Sequence, residues 1–396
     1  MKMPAVGHVY LQSNESENRV IHYARGEDGT LAEVEHLRTG GSGSGSFNGR
    51  SDPRAIIVGG ASGVILSPNH RFLFTVNAGD NSVSSFGVAD GGHLTLLDVK
   101  PTGNGASGVS GTAKSLAYST STGTLYVLHT MGPDHVRLMS VDDQGMLAVR
   151  SERHTAVPPN KPSRITTMLA LSPNERFLLV GCSLDQLRVD PDGRPHPIAA
   201  NAPDPDGLAV FPVEEHGALG KPVFQDAGGA SPWCPVFLKK RPNRFAIGFA
   251  AADGVSLATL GPDGKVVTGP VVRADTSQGK PSALCWMAIT PDDRLLFATM
   301  TGYSYITSWR LDADALSVAK DPACPKVPGD GTFRSLAGIV GAGPNDMWMT
   351  PDGAYLYQIY PNASKLIGYA IQADGGLVEV TSADIPHNSP QGLTGF

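Results

Sequence analysis

Residues 72–86 read FLFTVNAGDNSVSSF: a hydrophobic run, a small polar turn and a second hydrophobic run. Residues 9–23, VYLQSNESENRVIHY, have the same shape, with Asn14 and Asn18 falling where Asn77 and Asn81 fall. Each is the pattern of two strands joined by a short turn. Searching outward finds a polar turn and an alternating apolar run as SPNHRFLFTVN (67–77), STSTGTLYVLH (119–129), SPNERFLLVGC (172–182), TPDDRLLFATM (290–300) and TPDGAYLYQIY (350–360), with a degraded copy at KKRPNRFAIGF (239–249). Their starts are 51 to 67 residues apart. A repeat of that length holding several strands signals a propeller.

A second module follows every copy: a strand, a Gly/Asp turn and another strand, as in RVIHYARGEDGTLAEV, SVSSFGVADGGHLTLL and LIGYAIQADGGLVEV. Short apolar stretches ahead of the first module, such as SGVILS, LCWMAIT and DMWMT, supply a further strand. Six copies therefore have four strands, A to D. The N-terminal copy has only B, C and D, and SPQGLTGF at the far end can complete it. Closing the ring in this way hides the sheet edges of an open array. The expectation is an all-β, seven-bladed β-propeller of four-stranded blades, nearly helix-free. It is one domain over 1–396, with one blade shared by 6–38 and 386–396. Lid-like insertions are expected at 183–206 and 320–346.

Composition narrows the function classes. The 396 residues are 41% hydrophobic and 17% charged with a net charge of −6, as for a globular protein. With no basic cluster beyond Lys239–Arg241, neither nucleic acid nor an anionic membrane is an expected partner. No apolar run approaches the ~20 residues of a spanning helix. Strand-like sequence begins by His8, so a cytoplasmic location is the default, or a periplasmic or secreted one if the N-terminus was trimmed. Four cysteines without a Cys-x-x-Cys pair make neither a disulfide framework nor a zinc knuckle. No metal site and no cofactor are expected, and a closed ring has no edge that demands a partner, so a monomer is expected. Asn14 and Asn362 lie in Asn-x-Ser triplets, which matter only in a secreted chain.

In a four-stranded blade the B–C loop and the D-to-A connection emerge on one face. The irregular stretches 39–62, 183–206 and 320–346 are all of those kinds, so they lie over one mouth of the central channel, where loops carry function on a rigid scaffold. The ends of strand B fall at Asn14, Asn77, His129, Cys182, Phe249, Met300 and Tyr360. The starts of strand A fall near Ser62, Lys114, Thr167, Cys234, Cys285 and Asn345, with Gln391 at the closure. Among them His129 is a candidate base or a local hydrogen-bonding residue. Arg164 and Lys114 are candidate holders of a carboxylate or phosphate, or rim charges in water. Asp346, Asp80 and Asp185 are candidate general bases, or turn formers. Trp233, Trp286, Trp348, Tyr303 and Tyr305 could wall an apolar pocket or pack between blades. Cys182, Cys234 and Cys285 have no metal-ligand spacing.

GVILSPNHRFLFTVNAGDNSVSSFGVADGGHLTLLD, NESENRVIHYARGEDGTLAEVEHLRTGGSGSG and CWMAITPDDRLLFAT together resemble the lactonase-family seven-bladed propellers, among them the propeller-type 6-phosphogluconolactonases and fungal carboxymuconate cyclases. The resemblance covers essentially the whole chain. It implies a small-molecule site at the central mouth that opens or forms a lactone without an organic cofactor. In the sugar-lactonase and cyclase branches a His, Arg and Glu cluster does this, with a Pro-His-x-His stretch that should fall near NKPSRITTMLALSP. Here Pro162 is followed by Ser163 and Arg164, so only Arg164 is carried over. The expected function is hydrolysis of a small-molecule lactone or cyclic ester, anionic if Arg164 and Lys114 hold it. His129 or Asp346 would activate water, and Asn77, Trp233, Cys285, Trp286, Tyr303, Trp348, Tyr360 and Gln391 would line the pocket. The alternatives are a cyclase, isomerase or lyase in the same pocket, and a non-catalytic propeller that binds a ligand or protein.

Overall fold

The turn phrase that repeats in the sequence works as a turn for a local reason. In SPNHRF the Ser67 hydroxyl donates to Asn69 and accepts the Phe72 N–H at 3.0 Å, while His70 takes a left-handed φ of 55°. SPNERF repeats this with Ser172, Asn174, Phe177 and Glu175. TPDDRL and TPDGAY do so with Thr290 and Thr350, the left-handed position being held by Asp293 and Gly353. Each turn folds an inner strand back on the next, and the Gly/Asp turns add the outer hairpin.

The computed structural model describes residues 5–46, 62–104, 111–162, 164–183, 206–275, 282–313, 315–335 and 338–396. They form seven antiparallel sheets. Blades 1 to 6, in chain order, have inner strands Val64–Leu66, Gly111–Ser119, Ile165–Leu171, Pro232–Phe237, Leu284–Ile289 and Met347–Met349. Blade 7 joins the inner strand Leu393–Gly395 to Gly7–Gln12, Arg19–Arg25 and Leu31–Arg38. Leu11 pairs with Leu393, and His8 N donates to the Phe396 carbonyl. The seven-bladed architecture and its closure by the C-terminal strand are thus as the repeats imply. Blade 4 adds Val272–Arg273 as a fifth strand beside Gly254–Leu260. No α-helix occurs among the described residues, and no helix is long and apolar enough to cross a membrane.

The core is a ring of apolar layers between neighbouring blades. Phe72 and Phe74 of blade 1 pack with Leu116, Leu125 and Val127 of blade 2, and Leu178, Val180 and Phe211 of blade 3 pack with Tyr126 and Leu128. The second strand of a blade is covered on both faces, so Phe72–Asn77 and Leu295–Met300 are buried throughout rather than half exposed. The alternation expected there is replaced by nearly continuous apolar runs. Outer strands do alternate, as in Leu31–Arg38.

Candidate functional site

The repeated Asn-x-x-x-Asn is a clasp between blades. The Asn77 carboxamide oxygen accepts from Asn18 at 2.8 Å and Thr39 at 2.7 Å, and its nitrogen donates to Ser82 and Ser84. Asn81, at φ 55°, accepts the Ala113 N–H of the next blade. The same position is Asp253 in blade 4, whose carboxylate accepts the N–H groups of Ser282 and Leu284, and Ser304 in blade 5, which accepts that of Ala342. Burial raises Asp253 to about 7 against those backbone donors. Sequence reading missed Asp253, which only the alignment of Phe249 with Asn77 exposes.

What aims side chains into the channel is a β-bulge at the start of four inner strands. Lys114 is the extra residue between the pairs Ala113–His129 and Ser115–Leu128. Thr167 and Met168 bulge opposite Gly181, Trp233 and Cys234 opposite Gly248, and Cys285 and Trp286 opposite Thr299. A bulge bends its strand and redirects a side chain. Gly181 leaves the bulge opposite it room, since a Cβ there would lie 2.2 Å from the Thr167 hydroxyl, while Gly248 makes room for the neighbouring blade, a Cβ there lying 2.5 Å from Leu284 Cδ2.

The bulges bring Lys114, Trp233, Cys234, Cys285 and Trp286 to one ring. Lys114, fully buried, reaches across blade 3 to donate to the Thr166 carbonyl at 2.8 Å, its Nζ 5.6 Å from the Trp233 ring centre. Burial lowers its pKa to about 7, opposed by the neighbouring Cys285. Trp233 and Trp286 meet edge to face at 6.1 Å, and the Nε1–H of each is buried with no partner among the described residues. The Cys234 thiol is pushed up to about 12 and that of Cys285 higher, both by burial. All four cysteines are buried and outside any disulfide, and burial keeps those on the ring as neutral thiols at pH 7.

Asp346 precedes the inner strand of blade 6 and accepts the N–H groups of Met347 and, across the seam of blade 7, Ser62, both at 3.0 Å. Burial raises its carboxyl to about 7, against the lowering by those N–H donors and that of Leu393. Its charge also acts on Cys234 across the ring. Asn345 and Gln358, beside it, each keep a carbonyl oxygen without a partner among the described residues. Gln391 is buried at the closure, its N–H donating to the Gln12 carbonyl.

Other expected site residues are placed elsewhere. His129 is buried with Nε2 2.8 Å from the Thr102 hydroxyl and Nδ1 3.3 Å from the His135 carbonyl, and burial drops its pKa to about 3. It is a neutral peg between blades 1 and 2. Arg164 is buried rather than a rim charge, and its Nη2 donates to the Cys182 carbonyl at 3.0 Å. Tyr360 turns into the blade wall, its hydroxyl 3.0 Å from that of Tyr369. Trp348 stacks on Tyr357, and Tyr303 lies parallel to Tyr305 at 5.8 Å. Asp80 holds the Ser42 and Ser82 N–H groups, as a turn former does. Asp185 and most of the 183–206 insertion lie outside the described residues. The asparagines of the two Asn-x-Ser triplets, Asn14 and Asn362, are buried, which closes them to modification in the folded chain.

Residues 3–107 match the family described as "Lactonase, 7-bladed beta-propeller". The chain is 22% identical over 325 residues to a 6-phosphogluconolactonase of Erwinia tasmaniensis, covering 82% of this chain and 84% of that one. Among solved structures it is similar to a putative 6-phosphogluconolactonase of Bacteroides fragilis, with a TM-score of 0.67, 14% identity and coverage of 100% and 99% of the two chains. The periplasmic gluconolactonase PpgL of Pseudomonas aeruginosa also has a TM-score of 0.67 and 14% identity, with 98% and 99% covered. The structural likenesses speak for the fold, and the family match bears out the resemblance seen in the sequence.

Proposed function

We propose that this lactonase-type seven-bladed propeller hydrolyses a small lactone or cyclic ester at the ring of bulged inner strands. The observation that carries the reading is the pair of indole N–H groups, of Trp233 and Trp286, that have no partner among the described residues, with the buried Lys114 beside Trp233. Hydrogen-bond donors held in a dry site stabilise oxygen charge as it develops, at no cost of reorganisation. The opposite requirement, a base, is met by Asp346, whose burial holds it near neutrality where a general base works best.

The steps follow from these roles. Asp346 takes a proton from water as the oxygen attacks the ring carbonyl. The carbonyl oxygen gains negative charge and is held by the indole N–H groups and Lys114. Collapse breaks the ring C–O bond, and the leaving alkoxide takes the proton back from Asp346. The product is an open hydroxy acid, which ionises and releases one proton to solvent at neutral pH. Similarity to a 6-phosphogluconolactonase and to a gluconolactonase supports a lactone substrate, and Ser163 and Arg164 in place of the expected histidine motif leave room for one other than a phosphorylated sugar lactone.

Proton release in weak buffer with a panel of γ- and δ-lactones, anionic and neutral, tests this. Wild type is expected to turn over at least one, with a rate that rises as pH passes through about 7. Asp346→Asn keeps the backbone contacts of a carbonyl oxygen and is expected to lose about 100-fold or more. Silence of the wild type across the panel, or full activity in Asp346→Asn, would overturn the reading.

A further inference from the structure

Three imidazoles and a carboxylate gather on the face opposite the mouth, where blade 7 meets the outer turn of blade 1. His22 is fully buried, with Nε2 2.9 Å from Nδ1 of His8 and Nδ1 3.4 Å from one oxygen of Glu35. The other Glu35 oxygen lies 3.2 Å from Nδ1 of His93. One donor atom each from His22, Glu35 and His93 fall within 4.8 Å of one another. We propose that His22, Glu35 and His93 form a binding site for a divalent transition metal of the zinc class, with His8 orienting His22 from behind.

The geometry supports this at each level. Ligand bonds of about 2.0–2.1 Å in a tetrahedron put neighbouring donors about 3.3 Å apart; His22 and His93 stand at nearly that distance from the two different oxygens of Glu35, so the carboxylate must turn to offer one oxygen to an ion held by both. A metal-bound imidazole normally passes its other N–H to an acceptor that fixes its tautomer. His8 Nδ1 stands at that place, so His22 can offer Nδ1 to the ion while its Nε2–H donates to His8. Glu35 is steadied by the Leu94 N–H at 2.9 Å.

The scaffold is rigid where it must be. Tyr10 stacks on His22 and donates through its hydroxyl to the Gly92 carbonyl at 2.7 Å, which ties down the turn carrying His93. Gly92 has φ 75°, and a Cβ there would lie 2.4 Å from the His8 ring. His93 is 61% exposed and can swing onto the ion, leaving the remaining position to water. The ligands come from three separate strands and turns, so no spacing motif announces them, and the sequence reading expects no metal.

Zn2+ alone, titrated into the metal-stripped full chain, tests the site by calorimetry and by metal analysis after dialysis. The expected result is one ion per chain at micromolar affinity or better. His93→Ala and Glu35→Gln should each weaken it about tenfold or more with unchanged circular dichroism, since both side chains reach the surface. No binding would overturn the proposal and leave a hydrogen-bonded His8–His22–Glu35 chain. Equal binding by wild type and both variants would overturn it too, because the ion would then sit on other histidines.

Discussion

Replacing Lys114 with methionine should make the protein more stable and less active, by an amount that depends on pH. Lys114 is fully buried, and its pKa falls from 10.5 to about 7 chiefly through desolvation. Each pH unit of that fall is worth about 1.36 kcal/mol, so holding the charge inside costs at most about 5 kcal/mol relative to water. Between pH 7 and 10.5 the unfolded chain binds more protons at this residue than the folded one does, so its contribution to stability rises with pH. Below 7 both states carry the proton and the full cost applies. Methionine fills a similar volume without the charge but abandons the Thr166 carbonyl, a loss of about 1–3 kcal/mol. In urea denaturation, Lys114→Met should therefore exceed wild type by roughly 2–4 kcal/mol at pH 6, within the range for replacing buried charges. The gain should vanish or reverse by pH 10. A difference that stays flat from pH 6 to 10 would refute the argument, since only titration of this amine makes it vary. Lactone turnover should fall in the same variant at pH 7, where the proposed mechanism makes the amine an oxyanion donor.

Gly248→Ala should strain the packing of blade 4 against blade 5 and cost about 1–3 kcal/mol, because its Cβ would meet Leu284 Cδ2 at 2.5 Å and Met287 Sδ at 3.1 Å, the residues that flank the Cys285–Trp286 bulge; a thermal melt matching wild type would contradict this. Asn77→Ala should cost about 3 kcal/mol in chemical denaturation, since it orphans hydrogen-bonding groups buried between blades 7 and 1. An unchanged midpoint would sink the clasp. Trp286→Phe keeps the ring packing but deletes one indole donor, and should lower kcat by tenfold or more with little change in KM; a change in KM alone would assign Trp286 to ground-state binding instead.

The repeat made the fold readable because each turn phrase solves the same local problem, with Ser67, Ser172, Thr290 and Thr350 tying the chain back in the same way. Inner-strand starts could be placed approximately by alignment, which is how Lys114, Cys234 and Cys285 were found. The bulges themselves were not legible, because a bulge is a shift in register between two strands, and only at Gly181 does a missing side chain opposite make room for one. His129 and Asn77 looked like mouth residues by register. Their hydrogen bonds run instead within their own hairpins, to Ser84 and His135, and to Thr39 and Thr102, which come from segments that sequence does not show to be neighbours. The His22–Glu35–His93 cluster was hidden for the same reason.

The position of Asp346 ties chemistry to assembly. Its carboxylate takes one N–H from Ser62 and another from Leu393, groups that come together only when the last inner strand has docked beside Gly7–Gln12. Before that strand docks, the carboxyl lacks the Leu393 N–H and the burial that the closed seam provides. Docking of residues 393–395 supplies both, and the burial raises its pKa toward neutrality. In the proposed mechanism the base would therefore acquire its strength at the final joining step, and turnover in a refolding experiment should appear only with ring closure, after the signal of blade formation.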